Sequence, residues 1–203
     1  MSEPKFSQFN YTDPDTLKFL AEDVDCSLLN ALRRIIIGEV PTIGFRTEYG
    51  RESDIKIIKN TSALHNEFLA HRLSLIPIHY TNFDDFNPDK YLFVLKKQNN
   101  TNRTMDITTE HIEIKDITKD PPVIMSDSFR ENLFPRDPIT KDFILINKLK
   151  PSKSGLGDEG EELDITMRAT MGIGNENSQF CPTCVSVFTN IQDPDKVEAE
   201  FND

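Results

Sequence analysis

Apolar residues recur along the chain in two different periods, and the alternation between them sets the expected elements. Near the amino end Phe6, Phe9 and Tyr11 alternate loosely and run into the turn-like Thr12-Asp13-Pro14-Asp15. Leu17-Lys18-Phe19-Leu20 then reads as a short strand. The helical period takes over next. Asp23 or Asp25 can cap it, and apolar residues follow at 24, 28, 32, 35, 36 and 40, with a break at Glu39. Gly38 weakens its last turn, and Pro41 closes it because proline disfavours helical geometry in the residue before it. A surface helix shows one apolar stripe about 100° wide. Here Leu28, Leu29, Ala31, Leu32, Ile35, Ile36 and Ile37 fill more than one, so the helix is expected to be covered on two sides.

A strand is expected over 42–46, a polar turn over 49–54 and a strand over 55–58. Asn60-Thr61-Ser62 offers capping oxygens before a second helix at 63–74, with Leu64, Phe68, Leu69 and Leu73 as its apolar face and Pro77 beyond it. From 80 to 142 short strands alternate with polar turns. Tyr91-Leu92-Phe93-Val94-Leu95 is the clearest strand, and 106–117 reads as one alternating strand carrying Ile107, Ile112 and Ile114. Gln98-Asn99-Asn100-Thr101-Asn102 is a turn or loose loop, and prolines make 121–138 irregular. Further strands are expected at 143–146, 163–169 and 185–188, with a glycine-rich acidic loop at 151–162, a Gly/Asn turn at 171–178 and an acidic tail at 193–203. The fold class is α+β: a helix-rich front, a strand-rich middle and a short return.

Charge narrows the partners. Asp plus Glu outnumber Lys plus Arg by 34 to 23 in 203 residues, a formal charge of −11. Such a chain is not built to grip phosphates by bulk charge, so no direct contact with nucleic acid is expected. No apolar run, Ile35-Ile36-Ile37 included, approaches the roughly 20 residues of a membrane span. No basic, then apolar, leader opens the sequence, and three cysteines cannot make a disulfide framework. The chain is therefore expected to be soluble and intracellular, without a membrane partner.

Cys181-Pro182-Thr183-Cys184 is the one site-like motif, and it has the spacing of half a zinc site. His65, His71, His79 and His111 lie far upstream without matching pairing, and Cys26 falls inside the first helix. A redox CxxC opens a helix after a strand, whereas this one precedes a predicted strand. Cys181 and Cys184 are thus weak metal candidates, and two structural thiols is the preferred reading. Met171-Gly172-Ile173-Gly174 lacks the third glycine and the Lys-Ser/Thr of a phosphate loop. No catalytic residue and no cofactor is expected. What stands out is Arg33-Arg34 in an otherwise apolar helix, with Asn30 a turn earlier and His71-Arg72 repeating the theme in the second helix. Two solvated arginines would explain this pair, but the apolar surroundings leave little solvent face, and arginine suits desolvated contacts with a partner's carboxylates. The candidate partner interface is Leu28, Asn30, Leu32, Arg33, Arg34, Ile35, Ile36, Glu39, His71 and Arg72.

Two of these segments carry a resemblance. Leu29-Asn30-Ala31-Leu32-Arg33-Arg34-Ile35-Ile36-Ile37-Gly38-Glu39-Val40-Pro41-Thr42-Ile43 resembles the signature helix of the alpha-like subunits of multisubunit RNA polymerases. These comprise the bacterial alpha N-terminal domain, the archaeal D subunit and the third-largest subunit of eukaryotic RNA polymerase II. The block from Asn60-Thr61-Ser62-Ala63-Leu64-His65 to Ile76-Pro77-Ile78 is similar to the second block of the archaeal and eukaryotic members. Weaker likeness continues through 143–149, 162–169, Gly172-Ile173-Gly174 and Phe180-Cys181-Pro182.

The resemblance implies a discontinuous dimerisation domain at 1–47 and 179–203, with a strand-rich domain inserted at 48–178. It implies a non-catalytic assembly subunit that heterodimerises with a smaller alpha-like, subunit L-like, partner. Arg33 and Arg34 would lie near the second-largest catalytic subunit, and the helix from Leu64 to Leu75 would help dock that subunit and small zinc-binding subunits. Active-site metal and nucleotide chemistry would belong to the two largest subunits. The implied location is a nucleus, or a virion or cytoplasmic virus factory. The family's cysteine-rich zinc loop and iron–sulfur cysteines have no counterpart. The further strand and long helix that complete the family's dimer interface are not evident before Asp203. A fragment of a longer subunit, one fused to its partner half, or an interface completed differently would each account for this. The alternatives are a stand-alone zinc or thiol module on Cys181 and Cys184, and a stand-alone α+β binding protein.

Overall fold

The computed structural model describes residues 3–13, 16–47, 53–80, 83, 86–152, 160–192 and 197. Most of the predicted turn at 49–54, most of the glycine-rich loop and nearly all of the acidic tail lie outside these residues. The chain divides into two compact units, Met1–Val40 with Cys181–Asp203, and Pro41–Phe180.

In the first unit β1 (Lys5–Asp13) and β2 (Thr16–Glu22) form an antiparallel hairpin. Phe6 and Phe9, three apart, would face opposite ways in a regular strand. A bulge between Ser7 and Asn10, with Gln8 at φ 53°, inserts one residue and turns both rings onto Phe19, at centroid distances of 6.0 and 5.3 Å. Helix α1 (Cys26–Gly38) follows, capped by the Asp25 carboxylate, which accepts the Ser27 amide at 2.7 Å. Asp25 is thus the cap of the two aspartates considered.

The second unit holds the core. Its five-stranded antiparallel sheet runs in the order β4 (Ile55–Asn60), β10 (Glu162–Met167), β5 (Tyr91–Gln98), β7 (Ile112–Asp116), β8 (Val123–Ile124). Strict alternation buries Phe93, Leu95, Leu163, Ile165, Met167, Ile112 and Ile114. They join one cluster with Leu69 and Leu73 of α2 (Asn66–Ser74), Leu133 of α3 (Asp127–Leu133), and residues of the paired β6 (Met105–Thr108) and β9 (Leu145–Leu149). A short pair, β3 (Thr42–Gly44) and β11 (Thr170–Gly172), completes the unit.

Several expectations are corrected here. Ile107 differs in parity from Ile112 and Ile114, so one strand could not bury all three; a 3-10 turn at Thr109–His111 breaks 106–117 into two strands and buries each. His111 Nδ1 stabilises that turn by accepting the Thr108 amide at 3.1 Å. The loose loop at 98–102 is pinned by fully buried Asn99, whose Nδ2 donates to the Arg103 and Leu149 carbonyls, each at 2.8 Å. The irregular stretch 121–138 contains α3, started by a Ser126 cap. The predicted strand at 143–146 begins two residues later, and Thr170–Gly172 pairs as a strand where a turn is expected. The predicted strand at 185–188 is irregular, with Val185 and Val187 exposed. Phe68, placed on the buried face of the second helix, is 67% exposed.

Candidate partner interface

Helix α1 presents apolar side chains on two flanks. Leu29, Leu32, Ile36 and Ile37 are half-buried, whereas Leu28, Ala31, Ile35 and Val40 are exposed, Leu28 and Ile35 by about half their surface. No apolar side chain of this helix is fully buried; Gly38 alone is. The hairpin shares the condition, with Phe9 and Tyr11 61% and 70% exposed. Every buried hydrophobic side chain among the described residues lies between Ile43 and Phe180, so the first unit holds none. Burying a side chain of this size is worth about 1.5–3 kcal/mol, and an isolated two-stranded hairpin is marginal in water. The first unit therefore lacks the apolar cover that its own sequence calls for.

The polar candidates on α1 divide into two kinds. Asn30 and Arg33 are tied together, Arg33 Nε and Nη2 donating to Asn30 Oδ1 at 3.2 and 3.0 Å. Arg34 is exposed and has no hydrogen-bond or ion-pair partner among the described residues. Glu39 is exposed at the carboxyl end of the helix, where its amide donates to the Ile35 carbonyl at 2.9 Å.

In the second unit Arg72 is engaged. Its Nε donates to the Ile146 carbonyl at 3.0 Å and its Nη2 to the Leu145 carbonyl at 2.9 Å, stitching α2 to β9. Its neighbour His71 is exposed. Phe68 and Leu75, at i−4 and i+3 from Arg72, share its side of the helix and are 67% and 55% exposed. Leu145 is itself 38% exposed beside them, so Arg72 sits inside an exposed apolar patch. Sequence periodicity misses this patch because it assigns Phe68 inward and cannot place β9 against α2.

The other candidates stay apart from any constellation. Cys26, Cys181 and Cys184 are free, and the described residues contain no group of three or more His, Cys, Asp or Glu able to hold a metal. His65 caps α2 by accepting the Glu67 amide at 3.4 Å. Burial first, and the nearby Lys97 charge second, push the His111 imidazole below its usual range. None of the described helices is long and apolar enough to cross a membrane.

Residues 18–197 match the model of the RNA polymerase Rpb3/Rpb11 dimerisation domain. Among individual relatives, the chain is 30% identical over 196 residues to subunit 3B of DNA-directed RNA polymerases IV and V of Arabidopsis thaliana, covering 89% of this chain and 54% of that protein. It is 28% identical over 208 residues to the human subunit RPAC1 of DNA-directed RNA polymerases I and III, covering 90% and 53%. A conjugation stage-specific protein of Tetrahymena thermophila is 29% identical over 188 residues, covering 85% and 55%. The chain thus spans about half the length of these relatives.

Proposed function

The chain belongs to the RNA polymerase Rpb3/Rpb11 dimerisation-domain family, and from that premise we propose that it is a non-catalytic assembly subunit of a DNA-directed RNA polymerase. It heterodimerises with a smaller alpha-like subunit and docks the second-largest catalytic subunit and the small zinc-binding subunits. One observation carries the reading: the first unit is rich in apolar side chains and buries none of the described ones fully. A surface of this kind is stable when another polypeptide covers it. The division of the chain at Val40/Pro41 and Phe180/Cys181 supports a dimerisation domain drawn from both the amino-terminal and the returning segment around an inserted domain. It differs from the expected 1–47, 179–203 and 48–178 in that 41–47 and 179–180 fall in the second unit, where Ile43 and Phe45 join the core.

Within the interface the two arginines take different parts. Arg33, restrained by Asn30, keeps its apolar stem along the helix. Arg34 offers an unengaged guanidinium to a carboxylate of the catalytic subunit. The Phe68–Leu75–Leu145 patch around Arg72 is the second docking surface, with the fork itself serving to hold α2 on β9. The relatives are from eukaryotes, which favours a nuclear location. Tagging the chain in its own cell and identifying what co-purifies tests this. The two largest polymerase subunits and a smaller alpha-like subunit are expected in equal amounts; a chain recovered alone, as a monodisperse monomer, would overturn the assignment.

A further inference from the structure

Cys181 and Cys184 form a motif that the docking role leaves unused. They stand three positions apart at the start of the returning segment, and no helix or strand occurs between 181 and 192. Cys181 is half-buried, Cys184 is exposed, and both are free thiols. The residue before them is firmly held. Phe180 is fully buried, and its carbonyl accepts the Thr42 hydroxyl at 2.7 Å. A Cβ on Gly172 would lie 2.6 Å from the Phe180 ring, and the Arg46 guanidinium sits 5.3 Å from the ring centroid. The residues after the thiols are not held this way, for Val185, Val187 and Ile191 are 66%, 78% and 76% exposed. The two sulfurs thus stand where a fixed backbone gives way to an unsupported one.

We propose that Cys181 and Cys184 form a reversible intrachain disulfide, by exchange with a small disulfide of the glutathione class, and that it fixes the start of the returning segment. A closed zinc site needs four ligands, and the described residues bring no third ligand to these thiols; disulfide exchange needs only the two. The more exposed thiolate, Cys184, attacks one sulfur of glutathione disulfide, and one glutathione thiolate leaves. Cys181 then attacks the Cys184 sulfur of the mixed disulfide, and the second glutathione leaves. Two protein thiols are oxidised, one glutathione disulfide is reduced to two glutathiones, and the two thiol protons end on those products.

The test equilibrates the full chain in glutathione buffers of rising disulfide-to-thiol ratio, alkylates the remaining thiols and maps peptides by mass spectrometry. The peptide carrying both cysteines should pass from doubly alkylated to unalkylated and lighter by two hydrogens, with a half-point independent of protein concentration. Cys26, with no second thiol, should go no further than a glutathione adduct, and Cys181→Ser should likewise trap an adduct on Cys184. Amide exchange at 183–188 should slow on oxidation. Three results would each overturn the proposal: a peptide that stays doubly alkylated at the highest ratio, one that stops at the glutathione adduct in the unaltered chain, or a stoichiometric zinc released by Cys184→Ser. Unchanged amide exchange in the oxidised chain would overturn the fixing role.

Discussion

Arg34→Ala should weaken capture of the catalytic subunit while leaving the chain's thermal unfolding unchanged, because the guanidinium holds nothing within the described residues. Losing one partner of a buried interfacial charge pair costs about 2–5 kcal/mol, and a binding titration beside a melting curve separates the two effects. Arg33→Ala should also weaken assembly, by freeing Asn30 and removing a half-buried side chain from the helix face. Arg72→Ala should do the reverse, lowering the unfolding free energy by about 1–3 kcal/mol through the loss of charged hydrogen bonds to β9. The sequence marks all three arginines as unusual in apolar surroundings. It cannot tell which is bound, since a fork aimed at carbonyls more than seventy positions away leaves no local pattern. The pH response also belongs to single residues. The Thr118 hydrogen bonds hold the Asp116 carboxyl below its ordinary value, so this carboxylate stabilises the fold above the unfolded pKa of about 4 and the contribution fades as pH falls through the lowered folded value. His111 is pushed down as well, so acidification below about 6.5 already costs stability, because the unfolded chain takes up that proton first. Melting curves across this range should show both losses, and Asp116→Asn should flatten the lower one.

Among the elements, α1 was the most legible and β1 the least. Aspartate, a run of apolar residues on more than one stripe and a terminal proline define α1 without any long-range information, and Asp25 caps it. The hairpin's bulge at Gln8 was invisible because periodicity assumes an unbroken pleat. The same assumption joined β6 to β7, where parity at Ile107 and Ile112 already signals a break. Strand 185–188 has the right residue types and no partner strand among the described residues, which is the part of strand formation that residue types do not encode. Two substitutions probe elements rather than contacts. Leu32→Asp places a charge among the half-buried residues of α1 and should abolish the heterodimer or the soluble chain, seen as loss of co-eluting partner. Gly172→Ala drives a methyl into the Phe180 ring next to β3 and should destabilise the second unit by about 1–3 kcal/mol in denaturant unfolding.

At the scale of the molecule, the two units differ in kind. The second has its own core, and charge pairs such as Lys59–Glu162 at 2.6 Å and Lys96–Asp164 at 2.8 Å link neighbouring strands of its sheet. The first has apolar residues and none of the described ones fully buried. The sequence crowds α1 with apolar residues and so predicts a helix covered on two sides; the proposal of a partner subunit as that cover rests on family likeness rather than on any residue pattern. Oxidative footprinting tests the claim most directly, by comparing labelling of Leu28 and Ile35 in the chain alone and in the polymerase purified through it. Labelling of both residues should fall several-fold on assembly while Ile139, 88% exposed on the second unit, serves as the reference. Equal labelling of Leu28 and Ile35 in the two states would contradict the account.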